Sequence, residues 1–181
     1  MKQLLIISTS VRHERRSHGV AVYLAGYAKR NGLASVELFD LKEAHFPLFE
    51  ERLQYLTDPI AKAVEFGMAV QRADAVIIVS PEYNLSIPAS TKNAIDLLTQ
   101  EWEGKPVGIA AVSSGGFGAR NMWGELSKVM LHMGARPSNV GFFTPTVQNF
   151  YSESNLIVPD TKPFDERAQK FIASVLNMAG R

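Results

Sequence analysis

The sequence predicts a three-layer α/β fold, a doubly wound five-stranded parallel sheet covered by helices. Three observations predict it. Short apolar runs alternate with segments of helical period along the chain. The central runs are continuously apolar, as in strands buried on both faces. Right-handed crossovers then place the intervening helices on the two sides of the sheet. A length of 181 residues fits one domain, residues 1–181, able to bury a core without staples.

Leu4–Ile7 is the first strand, a central one. Val20, Leu24 and Tyr27 then follow helical spacing, with Asn31-Gly32 as the stop signal. Ser35–Phe39 alternates through most of its length and is expected nearer the sheet edge. Residues 41–58 are expected to form a long functional loop. From Pro59 a helix is predicted with Ile60, Val64 and Met68 on one side, and Asp74 marks the turn into a third strand, Ala75–Val79. Ala94, Ile95, Leu97 and Leu98 form the next helical face, closed near Gly104-Lys105-Pro106. A fourth strand is predicted at Val107–Val112, a helix through Met122, Leu126, Val129, Met130 and Met133, and a fifth strand at Asn139–Phe143. Residues 144–160 read as a second long loop. Phe164, Ala168, Phe171, Ile172 and Val175 mark the last helix.

Composition narrows the chemistry. Nineteen basic against eighteen acidic residues leave +1, so no general field draws the chain to nucleic acid or an anionic membrane, and anion binding must be local. With no cysteine there are no disulfides, no thiolate nucleophile and no Cys-ligated metal. The apolar run at Leu4–Ile7 is too short for a signal peptide or a membrane span, so a soluble, unprocessed, cytoplasmic protein is expected. The four histidines show no H-x-x-x-H or H-E-x-x-H spacing, so no metal site is expected. Serine hydrolysis lacks its Gly-x-Ser-x-Gly elbow. Trp102 and Trp123 read as packing or subunit-contact residues.

In a 2-1-3-4-5 sheet the carboxyl ends of strands one, three and four are neighbours at the point where the winding reverses. The loops there, Ser8–Ser17, Ser80–Pro88 and Ser113–Gly118, are the richest in polar residues and glycine. The first offers hydroxyls, the guanidinium groups of Arg12, Arg15 and Arg16, and the amides at the start of a helix. That combination suits a phosphate, with Ser10 and Arg12 best placed, while the competing reading is a solvated charge run. Neither a P-loop nor G-x-G-x-x-G follows the first strand. Gly115, Gly116 and Gly118 suit close backbone approach to a flat ligand, or simply a tight strand-to-helix turn.

Together these residues resemble the NAD(P)H-dependent FMN reductase family, which includes quinone, azo-dye and chromate reductases. Pro81-Glu82-Tyr83-Asn84, Ser86-Ile87-Pro88 and Lys92-Asn93-Ala94-Ile95-Asp96 are similar to its P-E-Y-N-x-S-I-P…K-N-A-I/L-D signature. Ser10-Val11-Arg12 with Arg15 and Ser17 resembles its phosphate loop, and Gly115–Arg120 its third loop. The likeness runs from the first strand to about Gly134.

The resemblance implies a flavodoxin-like fold with FMN, bound as a tightly held cofactor or as an exchangeable substrate, and NAD(P)H as electron donor. It implies that Ser10, Arg12 and Ser17 hold the phosphate, that Pro81, Glu82, Tyr83 and Asn84 line the isoalloxazine and ribityl chain, and that Ser113, Ser114 and Gly115 complete the pocket. A homodimer or homotetramer and a small-molecule electron acceptor such as a quinone are further implications. Family members often have glycine where this chain has Thr9 and Leu85. Leu85 is the greater departure, because a branched side chain resists positive φ and either narrows the site or offers an apolar contact.

The flavin supplies the redox chemistry, so no catalytic acid or base is required, and Glu82 is expected to be a structural carboxylate bonding backbone amides of its turn. The alternative is a flavin-binding electron carrier or redox sensor without nicotinamide turnover, which near-neutral charge weakly disfavours. A flavin-free scaffold is a third reading.

Overall fold

The fold is given by a computed structural model, which describes residues 1–151 and 161–180. Strands β1 (Gln3–Ser8), β2 (Ser35–Asp40), β3 (Ala75–Pro81) and β4 (Pro106–Val112) are parallel and ordered β2-β1-β3-β4, as the reversed winding requires. Helices α1 (Arg16–Arg30) and α6 (Thr161–Met178) cover one face, and α3 (Ala61–Arg72), α4 (Ala89–Asp96) and α5 (Arg120–His132) the other. Along β1, Leu5 and Ile7 enter one core while Leu4 and Ile6 enter the other. Each is essentially fully buried, a contribution of about 1.5–3 kcal/mol per side chain. Ser8, Thr9, Ser10 and Ser80 follow at the ends of β1 and β3 and are themselves buried.

β2 lies at the sheet edge, as its alternation implies. α1 stops where expected: the Asn31 amide bonds back to Tyr27, and Gly32 takes φ 62°. On β4, a Cβ at Gly108 would lie 2.5 Å from Val175 and 2.9 Å from Phe171. Only glycine lets α6 sit this close to the sheet.

Four expectations are corrected. In α3 the predicted stripe faces outward, with Ile60 41%, Val64 38% and Met68 57% exposed. Ala63, Phe66, Gly67, Ala69 and Val70 form the buried face instead. Phe66 packs against Phe39 with ring centroids 5.1 Å apart, and the bare Cα of Gly67 admits Leu53. The helix is apolar on more than one side, and periodicity alone does not choose between stripes.

The fifth strand is two fragments, β5 (Arg136–Pro137) and β6 (Phe142–Thr144), both pairing with β4. Buried Ser138 accepts the Val140 amide at 3.1 Å, a local turn that interrupts the ladder. Residues 41–58 are not wholly loop: α2 (Leu41–Ala44) is N-capped by the Asp40 carboxylate, and Leu53–Tyr55 form a 3-10 turn. In the expected loop 144–160, Val147–Phe150 form another 3-10 turn, and 152–160 lie outside the described residues. Among the described residues no helix is long and apolar enough to cross a membrane.

Candidate functional site

The three loops meet at the carboxyl edge of the sheet around a cleft of about 650 Å³. Ser10, Arg12 and Ser17 line it from the first loop, Pro81, Glu82 and Tyr83 from the second, Ser113 and Ser114 from the third. Two of the ten sequence-predicted residues fall outside this lining. Asn84 is at an exposed turn tip, and Gly115 lies just beyond Ser114.

The first loop is held in shape from below. Thr9, buried, sends its amide and hydroxyl to the Val79 carbonyl at 3.1 and 3.2 Å. Arg15 is not available to a ligand: it forms a two-pronged ion pair with Asp40 and donates to the Ser10 carbonyl at 3.0 Å. Burial alone would raise the Asp40 carboxyl, but hydrogen bonds from Arg15 and the Lys42 amide, with the nearby positive charge, hold it below its ordinary range. His18 completes the cluster, 3.1 Å from the Ser8 hydroxyl and 3.5 Å from Asp40. Burial pushes its pKa down against the pull of that carboxylate.

That clamp leaves Arg12 for the cleft. It is exposed, has no carboxylate partner among the described residues, and stacks over the Tyr83 ring at 5.5 Å. α1 begins beside it with no side-chain cap and no acidic residue in its first turn. Uncapped amides at a helix N-terminus, with hydroxyls and a guanidinium beside them, form an anion site.

The second loop is a two-residue hairpin. Tyr83 and Ser86 exchange both backbone hydrogen bonds at 3.0 Å, and Asn84 and Leu85 take φ 52° and 64°. Both central residues have positive φ, the type I′ pattern for which the second position favours glycine. Leu85 therefore occupies a strained conformation, and its side chain is 67% exposed. The Tyr83 hydroxyl hydrogen-bonds Ser10 at 2.8 Å, joining the second loop to the first. Glu82 accepts the Met122 amide at 3.0 Å in the first turn of α5. The carboxylate is structural, as expected, but caps a distant helix rather than its own turn. Ser86 donates to Glu125 of the same helix.

In the third loop, a Cβ at Gly115 or Gly116 would meet nothing within 4 Å. Glycine there leaves open space rather than relieving a protein contact. The turn itself is made by Gly118 and Ala119, at φ 70° and 58°. Sequence reasoning missed the outer strap of this loop. The Thr146 and Val147 amides donate to Gly115 and Ser113 at 3.1 and 3.0 Å, and Gln148 donates to the Ser114 carbonyl at 3.1 Å. It also missed Asp40, whose only signal was its position at the end of the second strand. Trp102 is buried in the core and Trp123 packs on Phe143, consistent with packing roles.

Comparison with known proteins is consistent with this geometry. The model of the NADPH-dependent FMN reductase family matches residues 1–147. An NAD(P)H-dependent FMN reductase of Saccharomyces cerevisiae is 33% identical over 142 residues, 69% of this chain and 71% of that one. A quinone reductase of Pseudomonas putida is 35% identical over 125 residues, 64% of each chain. Matches to these relatives thus span about two thirds of their length. Among solved structures, the flavoenzyme NAD(P)H:(acceptor) oxidoreductase of Paracoccus denitrificans superposes with a TM-score of 0.80 at 22% identity, covering 98% of this chain and 99% of that one. This last likeness concerns the fold.

Proposed function

Because this chain belongs to the NADPH-dependent FMN reductase family, we propose that its three-loop cleft binds FMN and passes reducing equivalents from NAD(P)H to a quinone-like or other small acceptor. The single observation that carries the reading is the uncapped start of α1 beside Arg12, which has no carboxylate partner among the described residues, opening into a cleft large enough for a flavin nucleotide. The residues present fit the cofactor. Ser10, Arg12 and the start of α1 offer the anion site, Pro81 and Tyr83 supply a flat wall, and Ser113 and Ser114 line the side of the third loop.

In this reading Ser10, Arg12, Ser17 and the first amides of α1 hold the phosphate. Pro81, Glu82, Tyr83 and Asn84 line the isoalloxazine and ribityl chain, and Ser113, Ser114 and Gly115 close the third side. When bound, FMN supplies the two-electron chemistry between nicotinamide and acceptor. The protein's part is to bind and orient: Arg15–Asp40 sets the phosphate loop, Tyr83–Ser10 joins that loop to the hairpin, and Glu82 fixes the hairpin on α5. No side chain acts as catalytic acid or base. The reading includes one domain over residues 1–181, a cytoplasmic location and a homodimer or homotetramer. The outward Ile60-Val64-Met68 stripe supports the assembly.

The test is the visible spectrum of the purified protein before and after NADPH. A flavin band that bleaches and returns with a quinone is expected. A band that nicotinamide does not bleach makes the protein a carrier or sensor, and a colourless protein that fails to take up FMN removes the flavin altogether. Size-exclusion chromatography with light scattering tests the assembly, and a monomer at micromolar concentration overturns it.

A further inference from the structure

Beside the cleft, where α4 begins on the α3/α4 side of the sheet, lies a second pocket of about 390 Å³. It opens between the loop after β1, the segment after β2 and the start of α4. Val11 stands in its wall and also in the wall of the FMN cleft. Leu41, Phe46 and Ala89 extend the apolar lining, and among the described residues Lys42 and His45 are its only ionisable side chains.

The walls are pinned. On α4, the Asn93 side-chain oxygen accepts the Phe49 amide at 2.7 Å and its nitrogen donates to the Pro47 carbonyl at 2.8 Å, fixing the outer wall to the helix. Ser90 donates to the Thr9 carbonyl at 2.7 Å, tying the same helix to the loop after β1. Lys42 reaches the Arg12 carbonyl at 3.4 Å from the adjoining side.

We propose that this pocket is a second small-molecule site, taking a compact organic monoanion of one or two rings, and that its occupancy tightens FMN binding. Its volume is near the lower end of the roughly 300–1,000 Å³ that ligand sites span, enough for a small ring system. Phe46 and the aliphatic side chains take the ring. Lys42 takes the negative charge, and among the described residues no carboxylate lines the pocket. The coupling follows from the shared loop. The conformation that brings Val11 into this pocket also brings Ser10 and Arg12 into the cleft, so a ligand of either site raises the population of the state the other binds. The coupling rests on the FMN reading above, whereas the pocket itself does not.

The probe is 4-hydroxybenzoate, titrated calorimetrically into FMN-loaded protein. One site per chain is expected. Ala89→Phe, which fills the pocket, abolishes binding. Lys42→Gln weakens it about tenfold and leaves neutral benzyl alcohol within about twofold. Saturating probe lowers the Kd for FMN, read by flavin fluorescence, by at least about fivefold. Absence of binding up to about 10 mM, binding that survives Ala89→Phe, or competition between probe and FMN overturns the proposal. A protein without a flavin band fails the FMN reading instead, and the same titration of that protein still decides whether the pocket binds the probe.

Discussion

Replacing Leu85 by glycine is expected to make the protein more stable. Leu85 holds φ 64° at the second central position of the hairpin, where Cβ crowds the following carbonyl at a cost of about 1–2 kcal/mol for any non-glycine residue. Little burial is lost on removing its side chain, which is 67% exposed. Glycine also loosens the unfolded chain, which takes back about 0.4–1 kcal/mol. The balance is a gain of roughly 0.5–1 kcal/mol. In a chain of 181 residues that raises Tm by about 1–4 °C. Leu85→Ala separates backbone from side chain: alanine keeps the positive-φ cost, so its Tm stays within about 1 °C of the parent. Thermal unfolding followed by far-UV circular dichroism measures both. A fall of more than about 2 °C in Leu85→Gly means that the side chain makes a stabilising contact. An equal rise in both variants means that the side chain, not the backbone, carries the cost. Either result refutes the strain argument.

Arg12→Ala removes an exposed guanidinium of the cleft and is expected to weaken FMN binding by about ten- to a hundredfold, the worth of roughly 1.5–3 kcal/mol for a charged hydrogen bond. Fluorescence titration checks it, and a change under about threefold removes Arg12 from the phosphate site. Glu82→Gln weakens the trans cap on α5 by about 0.5–1.5 kcal/mol, lowering Tm by about 1–6 °C in thermal unfolding followed by circular dichroism. Asp40 has a folded pKa below its ordinary 3.8, so its stabilisation is present above about pH 3.8 and is lost as pH falls through the folded value. Asp40→Asn is therefore destabilising at pH 7 and flattens the acid limb of urea-measured stability. An unchanged acid limb counts against the Arg15 clamp. His18, also shifted down, from 6.5, stabilises above about pH 6.5 and loses that contribution on acidification below it. His18→Asn removes this loss, seen as a flatter stability profile between about pH 6.5 and 5.

Much of the site was legible before any coordinates. Pro81-Glu82-Tyr83-Asn84 after a continuously apolar strand, hydroxyls and arginines after the first strand and glycines after the fourth identify loops that parallel winding must bring together. The division of labour among the arginines was not legible. Arg12 and Arg15 are chemically alike and three residues apart, and only the position of Asp40 at the end of the neighbouring strand assigns one to the clamp and leaves the other for the cleft.

By itself the sequence determined the layer order, the sheet interior and the edge position of β2, because burial on two faces, one face or none imposes distinct residue patterns. It also determined that any anion site would be local and that cysteine chemistry plays no part. Tertiary structure alone decided which stripe of α3 is buried, which helix Glu82 caps, and that Leu85 accepts positive φ. Each is settled by contact between residues far apart in the chain: Phe66 with Phe39, Glu82 with Met122, and a hairpin held between Ser10 and Glu125. Local propensity carries no information about such partners, since they are chosen by the space left after the sheet and its helices pack.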